Sequence, residues 1–211
     1  MKKSADFLRR HLDETGRREF ELNYRYEHSI RVSNIAIKIA KEENADVVVV
    51  ALSSILHDIG KFDTTENLEH GRISAEIARP FLKNFDLTKS QIHKICYSIE
   101  AHVNDWKRET ITEDLLEANI LKDADRIDRF GFNKVFLRRF LDHQKSLNDA
   151  QNQIDLTERR IDILHGLINE DRMVTNLGKE IFNNRVDFQI KFYENYLNEL
   201  RLSFLKNIDS L

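Results

Sequence analysis

The chain contains few of the residues that interrupt helices or cross-link a fold. Its 211 residues include one proline, six glycines and one cysteine. A single cysteine excludes a disulfide framework within the chain, so Cys96 is expected to be a buried apolar residue in a reducing compartment. The scarcity of proline and glycine, together with apolar residues at helical spacing, predicts an all-α protein with short connections.

The chain also lacks a long hydrophobic run. The main apolar stretch, residues 47–56, is too short to span a bilayer, and residues 1–10 carry basic side chains without the apolar segment of a secretory signal. We therefore expect a cytoplasmic protein without a membrane partner. Hydrophobic residues make up 41% of the sequence and charged residues 33%, which is enough apolar material for the core of a soluble globular protein.

An excess of charge of one sign is lacking as well. The 33 lysines and arginines nearly balance the 36 aspartates and glutamates, which leaves a net charge of -3. Proteins whose main partner is nucleic acid or an anionic membrane usually carry a positive patch or a positive net charge. We therefore expect no dedicated nucleic-acid surface.

Periodic apolar residues predict the first three helices. One is predicted over residues 5–22, ending near Asn23, and the next begins at His28, whose imidazole falls on the apolar face. Asp46 is predicted to cap a third, buried helix that carries the valine run and ends at His57-Asp58.

The rest of the chain is predicted to be helical, apart from two polar segments. These are a loop over residues 61–70 and a loop or lid over residues 145–158. Neither a repeat nor a domain boundary is evident, so residues 1–211 are predicted to form one domain. The next predicted helix covers residues 74–81 and is disturbed by Pro80, and the one after it is capped by Thr88 or Ser90 and carries the apolar stripe from Ile92 to His102. A further helix is predicted from Thr112 to Asp125, followed by one that carries Val135, Phe136, Phe140 and Leu141. The last predicted helix runs from Thr175 onward, with Phe182, Phe188 and Phe192 in the core.

Several polar side chains fall on otherwise apolar helix faces or at their ends. His57 and Asp58 follow the valine run directly, and His28, His102 and Asp125 occupy similar positions on other predicted helices. A single residue of this kind is usually a satisfied core or capping residue, but several on different helices are how helical bundles build metal sites. A set of histidines and aspartates suits Mn²⁺, Mg²⁺, Fe²⁺, Co²⁺ or Ni²⁺ better than a structural zinc site.

The pattern formed by His28, His57-Asp58 and Asp125 resembles the HD-domain superfamily of metal-dependent phosphohydrolases. The local sequences around these residues also match, and they occur in the family's order over about residues 20–135. The tail from Thr175 to Glu199 resembles a bacterial subgroup of predicted HD hydrolases, some of which are similar to nucleotide pyrophosphohydrolases. The resemblance implies an HD helical bundle over about residues 20–135, with a metal site between its core helices, and a C-terminal helical extension over about residues 136–211.

The resemblance also implies a set of functional residues and a substrate class. His28, His57, Asp58 and Asp125 would bind one divalent ion, and the expected substrate is a nucleotide or another small phosphorylated molecule whose phosphoester or phosphoanhydride bond is hydrolysed. Asp58 and Lys61 are the expected catalytic residues. The candidates for contacts with the substrate phosphate are Lys61, Arg31 and Arg126. As alternatives, Lys61 is a solvated lysine at a helix C-terminus and the arginines form surface ion pairs.

Two further histidines decide between versions of the site. Some HD proteins add a histidine at the positions of His70 and His102 and hold two ions, whereas in a one-ion site these residues would act as a general acid or contact phosphate. Trp106 would stack on a base or pack in the core. No role is assigned to His11, His93, His143 and His165.

Two other functions compete with the phosphohydrolase. The same ligand pattern is similar to that of diiron HD oxygenases such as inositol oxygenase, which would bind two irons and require oxygen. A catalytically silent module that binds a metal or a nucleotide is the other alternative. The apolar end of the chain, with Leu202, Phe204, Leu205 and Ile208, could pair with a second copy in a homodimer.

Overall fold

A computed structural model describes residues 1–103, 113–135, 150–170 and 172–202, and no strand occurs among them. The predicted all-α fold is therefore confirmed. None of the helices in these ranges has the length and apolar content needed to cross a membrane. The helices are α1 (Lys2–Glu14), α2 (Glu19–Glu42), α3 (Val47–Leu56), α4 (His70–Leu82), α5 (Lys89–Ala101), α6 (Leu116–Arg129), α7 (Ala150–Asn169) and α8 (Asn176–Arg201).

The chain divides into two compact units. One comprises Met1–Asp128 together with Val174–Gly178, and the other comprises Arg129–Met173 and Lys179–Leu211. The candidate metal ligands, from His28 to Asp125, all belong to the first unit. One domain over residues 1–211 remains a prediction.

The first helical region is broken where the sequence predicted a continuous helix. The expected helix over residues 5–22 is wrong, because α1 ends at Glu14 and α2 begins at Glu19. Gly16 lies between them with φ +68°, a left-handed conformation that glycine adopts at little cost. The apolar pattern continues across the break, so periodicity alone does not reveal it. His28 consequently lies in the third turn of α2 and not at the start of a helix.

Helix α3 is the central helix of the first unit. The Asp46 carboxylate caps it, as predicted, by accepting hydrogen bonds from the backbone N–H groups of Val48 and Val49 at 2.9 and 3.1 Å. Every residue from 49 to 56 is buried, and α3 contacts α1, α2, α4 and α5. Burial on all sides over residues 49–56 confirms a core helix, whereas Val48 in its first turn is 48% exposed. His57 is the residue that ends this helix, and Asp58 lies in the turn that follows.

Two glycines allow α4 to pack closely against its neighbours. A Cβ atom on Gly60, in the turn after α3, would lie 2.8 Å from Ile73 Cγ2, and one on Gly71 would lie 2.8 Å from the Glu100 carbonyl of α5. Such distances are too short for carbon atoms, so these positions require glycine. The close packing brings the start of α4, where His70 lies, next to the end of α5, where His102 lies.

The remaining predictions for the first unit have mixed outcomes. Helix α4 begins at His70, four residues before the predicted start, and Pro80 lies inside it. Proline removes one hydrogen bond, but the helix ends two residues later, so the loss is confined to the last turn. Thr88 caps α5 as one of the two predicted candidates: its hydroxyl accepts from the Gln91 N–H at 3.1 Å.

The second unit corrects two predictions. The polar loop over residues 145–158 is wrong for its second part, because α7 begins at Ala150; residues 145–149 lie outside the described part of the chain. Helix α7 has mostly polar residues, but Ile154, Leu164 and Leu167 form one buried face. Phe188, predicted in the core, is 46% exposed and packs its ring against Phe132. Of the other two phenylalanines predicted in the core, Phe182 is buried and Phe192 is half-buried, while Phe136, Phe140 and Leu141 of the preceding predicted helix lie outside the described residues.

Candidate metal centre

The Asp58 carboxylate is surrounded by four histidine side chains. Its Oδ2 atom lies 3.5 Å from Nε2 of both His28 and His57. Its Oδ1 atom lies 3.1 Å from His70 Nε2 and 3.5 Å from His102 Nε2. All five side chains are buried. One carboxylate therefore faces two pairs of imidazoles, one pair at each oxygen.

Asp125 on α6 completes the group on the Oδ2 side. Its Oδ1 atom lies 3.3 Å from His28 Nε2, and it is buried like the other members. Two overlapping groups of possible ligand atoms result, each with all atoms within 4.8 Å of one another: His28, His57 and Asp125, and His57, Asp58 and His102. A divalent ion takes nitrogen and oxygen ligands at about 2.0–2.2 Å, so converging donors of this type fit such an ion.

Three of the four histidines are oriented by the same local device. Their Nδ1 atoms hydrogen bond to the backbone carbonyl three residues earlier: His57 to Ser54 at 2.7 Å, His70 to Asn67, and His102 to Ile99. A carbonyl oxygen can only accept, so Nδ1 carries a hydrogen, and in the neutral imidazole it is Nε2 that offers a lone pair. That lone pair points toward Asp58, which is the arrangement that metal-binding histidines require.

His28 is oriented by a carboxylate instead. Its Nδ1 atom donates to Asp128 Oδ2 at 2.7 Å, and Asp128 is one turn beyond Asp125 on α6. Arg31 holds the same carboxylate with two hydrogen bonds, from Nε at 2.8 Å and from Nη2 at 3.2 Å. Arg31, predicted as a phosphate contact, is thus engaged with a group that supports a ligand.

Burial and neighbouring charges set the protonation of the cluster. Burial lowers the pKa of His57 to about 3, so its imidazole is neutral at neutral pH. Burial also opposes the charged form of His28, but hydrogen bonds to Asp125, Asp128 and Asp58 outweigh it and raise the His28 pKa well above its usual value. Burial would raise the pKa of Asp58, but the adjacent His57, the Arg25 guanidinium and hydrogen bonds from His102 and His28 hold it well below its usual range.

The cationic side chains predicted to contact phosphate lie in different surroundings. Lys61 Nζ donates to Asn67 Oδ1 at 3.3 Å and also lies 3.3 Å from His70 Nδ1. Because an ammonium can only donate, and Nδ1 already donates to a carbonyl, the second contact is not a hydrogen bond. Arg126 is half-buried on α6, where its charge opposes the rise that burial causes in the Asp123 pKa.

Two residues next to the cluster were not predicted. Asp128 was part of the matching sequence but received no role, and Arg25, whose guanidinium donates to Asp58 Oδ2, was not considered. A signal for Arg25 was available, because it lies three residues before His28 and therefore on the same face of α2.

The other histidines and aromatic candidates have separate positions. His11 pairs with Asp63 at 2.9 Å, and the exposed His93 pairs with Glu113 at 3.1 Å. Neither is among the residues that converge on Asp58. Trp106, His143, and the tail residues Phe204, Leu205 and Ile208 lie outside the described residues, and Leu202 is exposed.

The comparison with protein families assigns the region that contains this cluster. Residues 25–129 match the HD domain, and the matched range includes all six converging residues. This chain belongs to the HD-domain superfamily. His57-Asp58, at the end of the central helix, is the His-Asp pair after which the HD domain is named.

Proteins similar to this HD protein include ribonucleases and hydrolases. Ribonuclease Y of Alkaliphilus metalliredigens is 31% identical over 159 residues, which cover 74% of this chain and 30% of that protein. The chain therefore spans about a third of the length of this relative.

Solved structures with the same fold cover nearly the whole HD protein. An HD-superfamily hydrolase from Bacillus thuringiensis superposes with a TM-score of 0.66 at 17% identity, covering 95% of this chain and 96% of that one. Bacillus subtilis YpgQ in complex with ADP superposes with a TM-score of 0.60 at 19% identity, covering 98% and 97%. At these identities, the likeness shows a shared fold.

Proposed function

We propose that this HD protein is a divalent-metal-dependent phosphohydrolase, which cleaves phosphoester or phosphoanhydride bonds in nucleotides or related small phosphorylated molecules. The observation that carries the proposal is the convergence of six buried nitrogen and oxygen donors on Asp58 and its neighbours. Buried histidines and aspartates at this density are costly unless a cation compensates them.

His28, His57, Asp58 and Asp125 would hold the ion, with His70 and His102 available for a second one. When bound, the ion supplies charge neutralisation for phosphoryl oxygens and a nucleophilic water near neutral pH. The protein's own part is largely positioning, since phosphoryl transfer needs little covalent help from side chains. Lys61 lies beside His70, close enough to the cluster to balance the negative charge of a phosphate.

The substrate class is supported by the relatives. YpgQ was crystallised with ADP, which favours a nucleotide, and ribonuclease Y is named for an activity on RNA. ADP and RNA both contain phosphate. A nucleotide is the first candidate, because the net charge of -3 gives no sign of a large nucleic-acid surface. Manganese as the ion, a cytoplasmic location and a homodimer remain predictions.

A hydrolysis screen tests the proposal. Protein stripped of metal and reloaded with Mn²⁺, Co²⁺, Ni²⁺ or Mg²⁺ is assayed for release of phosphate, pyrophosphate or nucleotide from nucleoside di- and triphosphates and a short RNA. We expect metal-dependent turnover that falls to background in Asp58→Ala and persists in His93→Gln, an exposed histidine outside the cluster.

Three outcomes would contradict the proposal. Metal binding without turnover on any substrate would indicate a silent module. Tightly bound iron, near two ions per chain, with oxygen consumption would indicate an oxygenase. Turnover that is unchanged in Asp58→Ala would locate the reaction elsewhere.

A further inference from the structure

Arg25 is the cation that touches the central carboxylate. It lies on α2, one turn before His28, and its side chain is only 16% exposed. The guanidinium Nη1 atom donates to Asp58 Oδ2, the oxygen that also faces His28 and His57. Arg25 therefore reaches the cluster on the side where Asp125 completes a ligand group.

Two aromatic rings flank the Arg25 guanidinium. The guanidinium lies over the Tyr24 ring, 5.8 Å from the centroid, and over the Phe62 ring, 5.9 Å from the centroid. Arg17 lies over the same Phe62 ring at 5.3 Å. These contacts fix the position of the guanidinium from the outside of the cluster but satisfy none of its N–H groups by conventional hydrogen bonds.

One donor of Arg25 is left over. Its Nε atom is buried and has no hydrogen-bond partner. A buried donor without a partner is costly, and a guanidinium offers its donors as a planar fork that matches two oxygens of a phosphate. The unsatisfied Nε and the neighbouring Nη2 form one edge of this fork, and a phosphoryl group could bind that edge while Nη1 stays on Asp58.

Arg31, one of the phosphate-contact candidates named from the sequence, does not offer such an unpaired fork. Its Nε and Nη2 donors, which form one edge of the guanidinium, both bind Asp128, and its Nη1 atom lies 3.7 Å from Glu27 Oε2. Removing Arg31 from Asp128 would leave the carboxylate that supports His28 with one fewer partner. Arg25 has no such structural duty toward a second carboxylate among the described residues.

We propose that Arg25 binds the phosphoryl group of the substrate beside the metal ligands, and that it and the metal ion compete for the negative charge of Asp58. This inference rests on the proposed function for the presence of a metal and a phosphate. An arginine that only braced Asp58 would help the ion to bind, because it would hold a ligand in place. An arginine that competes would hinder the ion by repulsion between like charges.

The two roles predict opposite effects on metal affinity, measured by calorimetry on the stripped full-length protein. In Arg25→Ala we expect Mn²⁺ to bind as tightly as in the wild type or up to about tenfold more tightly. With saturating Mn²⁺, the affinity for inorganic phosphate should fall about 10- to 100-fold, the loss typical of a hydrogen bond to a charged group. Arg25→Lys, which keeps the charge but not the fork, should recover only part of the phosphate affinity.

Arg72→Ala is the matched control, because Arg72 is an exposed arginine two residues from His70 whose partners are Glu69 and Glu76. It should change neither affinity, and thermal unfolding of each variant verifies that the fold is intact. If Arg25→Ala bound Mn²⁺ as poorly as Asp58→Asn, Arg25 would be a brace for the ligand, and the inference would be overturned. Phosphate binding that is undetectable in the wild type, or equal in wild type and Arg25→Ala, would overturn it as well.

Binding measurements separate this inference from the proposed function. A protein that binds Mn²⁺ and phosphate through Arg25 but hydrolyses nothing in the screen would refute the phosphohydrolase and leave the role of Arg25 in place. Turnover that survives in Arg25→Ala with unchanged phosphate affinity would do the reverse.

Discussion

His28 depends on a carboxylate that lies one hundred residues away in the sequence. Asp128 accepts from His28 Nδ1, and Arg31 in turn holds Asp128 with two hydrogen bonds. A carboxylate in this position fixes the ring orientation and makes Nε2 a better donor to a cation. His57, His70 and His102 obtain their orientation from backbone carbonyls nearby, so His28 is the ligand that a substitution on another helix can disturb.

Asp128→Asn should therefore weaken metal binding without removing a ligand. We expect the affinity for Mn²⁺ to fall about 10- to 100-fold, the usual effect of removing a carboxylate that supports a ligating histidine. Isothermal calorimetry on stripped protein measures it. Glu27→Gln is the control, because Glu27 is 66% exposed and approaches Arg31 from the solvent side at 3.7 Å. Equal affinities in the two variants would mean that Asp128 does not support the site.

The residues that could be predicted differ in kind from those that could not. His57, Asp58 and Asp125 stand out because each interrupts an apolar helical pattern, and His28 because it begins one in the sequence. Asp128 and Arg25 do not interrupt an apolar pattern, because each lies among other charged residues in the sequence. Their importance comes from contacts made 100 and 33 positions away, which no local pattern contains.

At the scale of elements, hydrogen bonds to Asp46 hold the beginning of α3, the helix that carries His57 and Asp58 at its other end. The Asp46 carboxylate accepts from two backbone N–H groups of α3 and from the Gln91 amide at 3.0 Å, which lies in the first turn of α5. Burial of Asp46 acts to raise its pKa, but these hydrogen bonds outweigh it and lower the pKa. The stabilisation is therefore present above the usual aspartate pKa and is lost as the pH falls through the lowered value.

Asp46→Ala should destabilise the protein by about 1–2 kcal/mol at neutral pH, because a capping carboxylate and its link to α5 are lost. Urea unfolding measures the change. Asp86→Ala, an exposed aspartate in the loop before α5, should shift stability by less than about 0.5 kcal/mol. A cap that contributes nothing would make the two variants indistinguishable.

Replacing a glycine by alanine should change stability in opposite directions in α4 and α7. Gly71→Ala places a methyl group 2.7 Å from Val103 Cγ2 and 2.8 Å from the Glu100 carbonyl, so α4 must shift, and we expect a loss of about 1–3 kcal/mol. Gly166→Ala in α7 meets nothing within 4 Å and should stabilise by about 0.5–1 kcal/mol through the better helix propensity of alanine. Thermal unfolding of the two variants gives the comparison, and shifts of the same sign would contradict this account of the packing.

Helix boundaries were less predictable than helix existence, for a physical reason that α1 and α7 share. An apolar stripe can run through a break, as it does at Gly16, and a helix can bury a narrow stripe while most of its residues are polar, as α7 does. Capping residues mark boundaries better: Asp46 and Thr88 were recognised because their side chains act on the nearest backbone.

At the scale of the molecule, metal binding at the proposed site should be coupled to folding, because the proposed ligands come from five separate segments of the first unit. His28 lies on α2, His57 and Asp58 at the end of α3, His70 at the start of α4, His102 at the end of α5, and Asp125 on α6. An unfolded chain cannot assemble this set, so an ion stabilises only the folded state. At an ion concentration one hundred times the dissociation constant, the gain is about 2.7 kcal/mol.

The fall of stability with rising pH that the metal-free protein should show is therefore expected to disappear when the ion is added. In chelator, His28 has a pKa raised by Asp125, Asp128 and Asp58 against the opposing effect of burial, so its contribution is fully present below the usual value of 6.5 and is lost as the pH rises through the raised value. With Mn²⁺, His28 must be unprotonated to act as a ligand. Above the usual value of 6.5 its imidazole is unprotonated in the unfolded chain as well, so folding takes up no proton there and stability should be nearly independent of pH.

The two other shifted groups in the cluster do not obscure this window. Asp58 has a lowered pKa, so its contribution to stability is lost only in acid. His57 has a pKa of about 3 in the folded protein, so its effect on stability no longer changes with pH once the unfolded imidazole has lost its proton, near 6.5. Thermal unfolding between about pH 7.5 and 9 thus isolates His28. We expect the unfolding midpoint of the wild type to fall with pH in chelator and to change little with pH in excess Mn²⁺, and we expect the fall in chelator to be absent in His28→Gln. A midpoint in chelator that rises with pH in the wild type would mean that the carboxylates around His28 do not hold its proton.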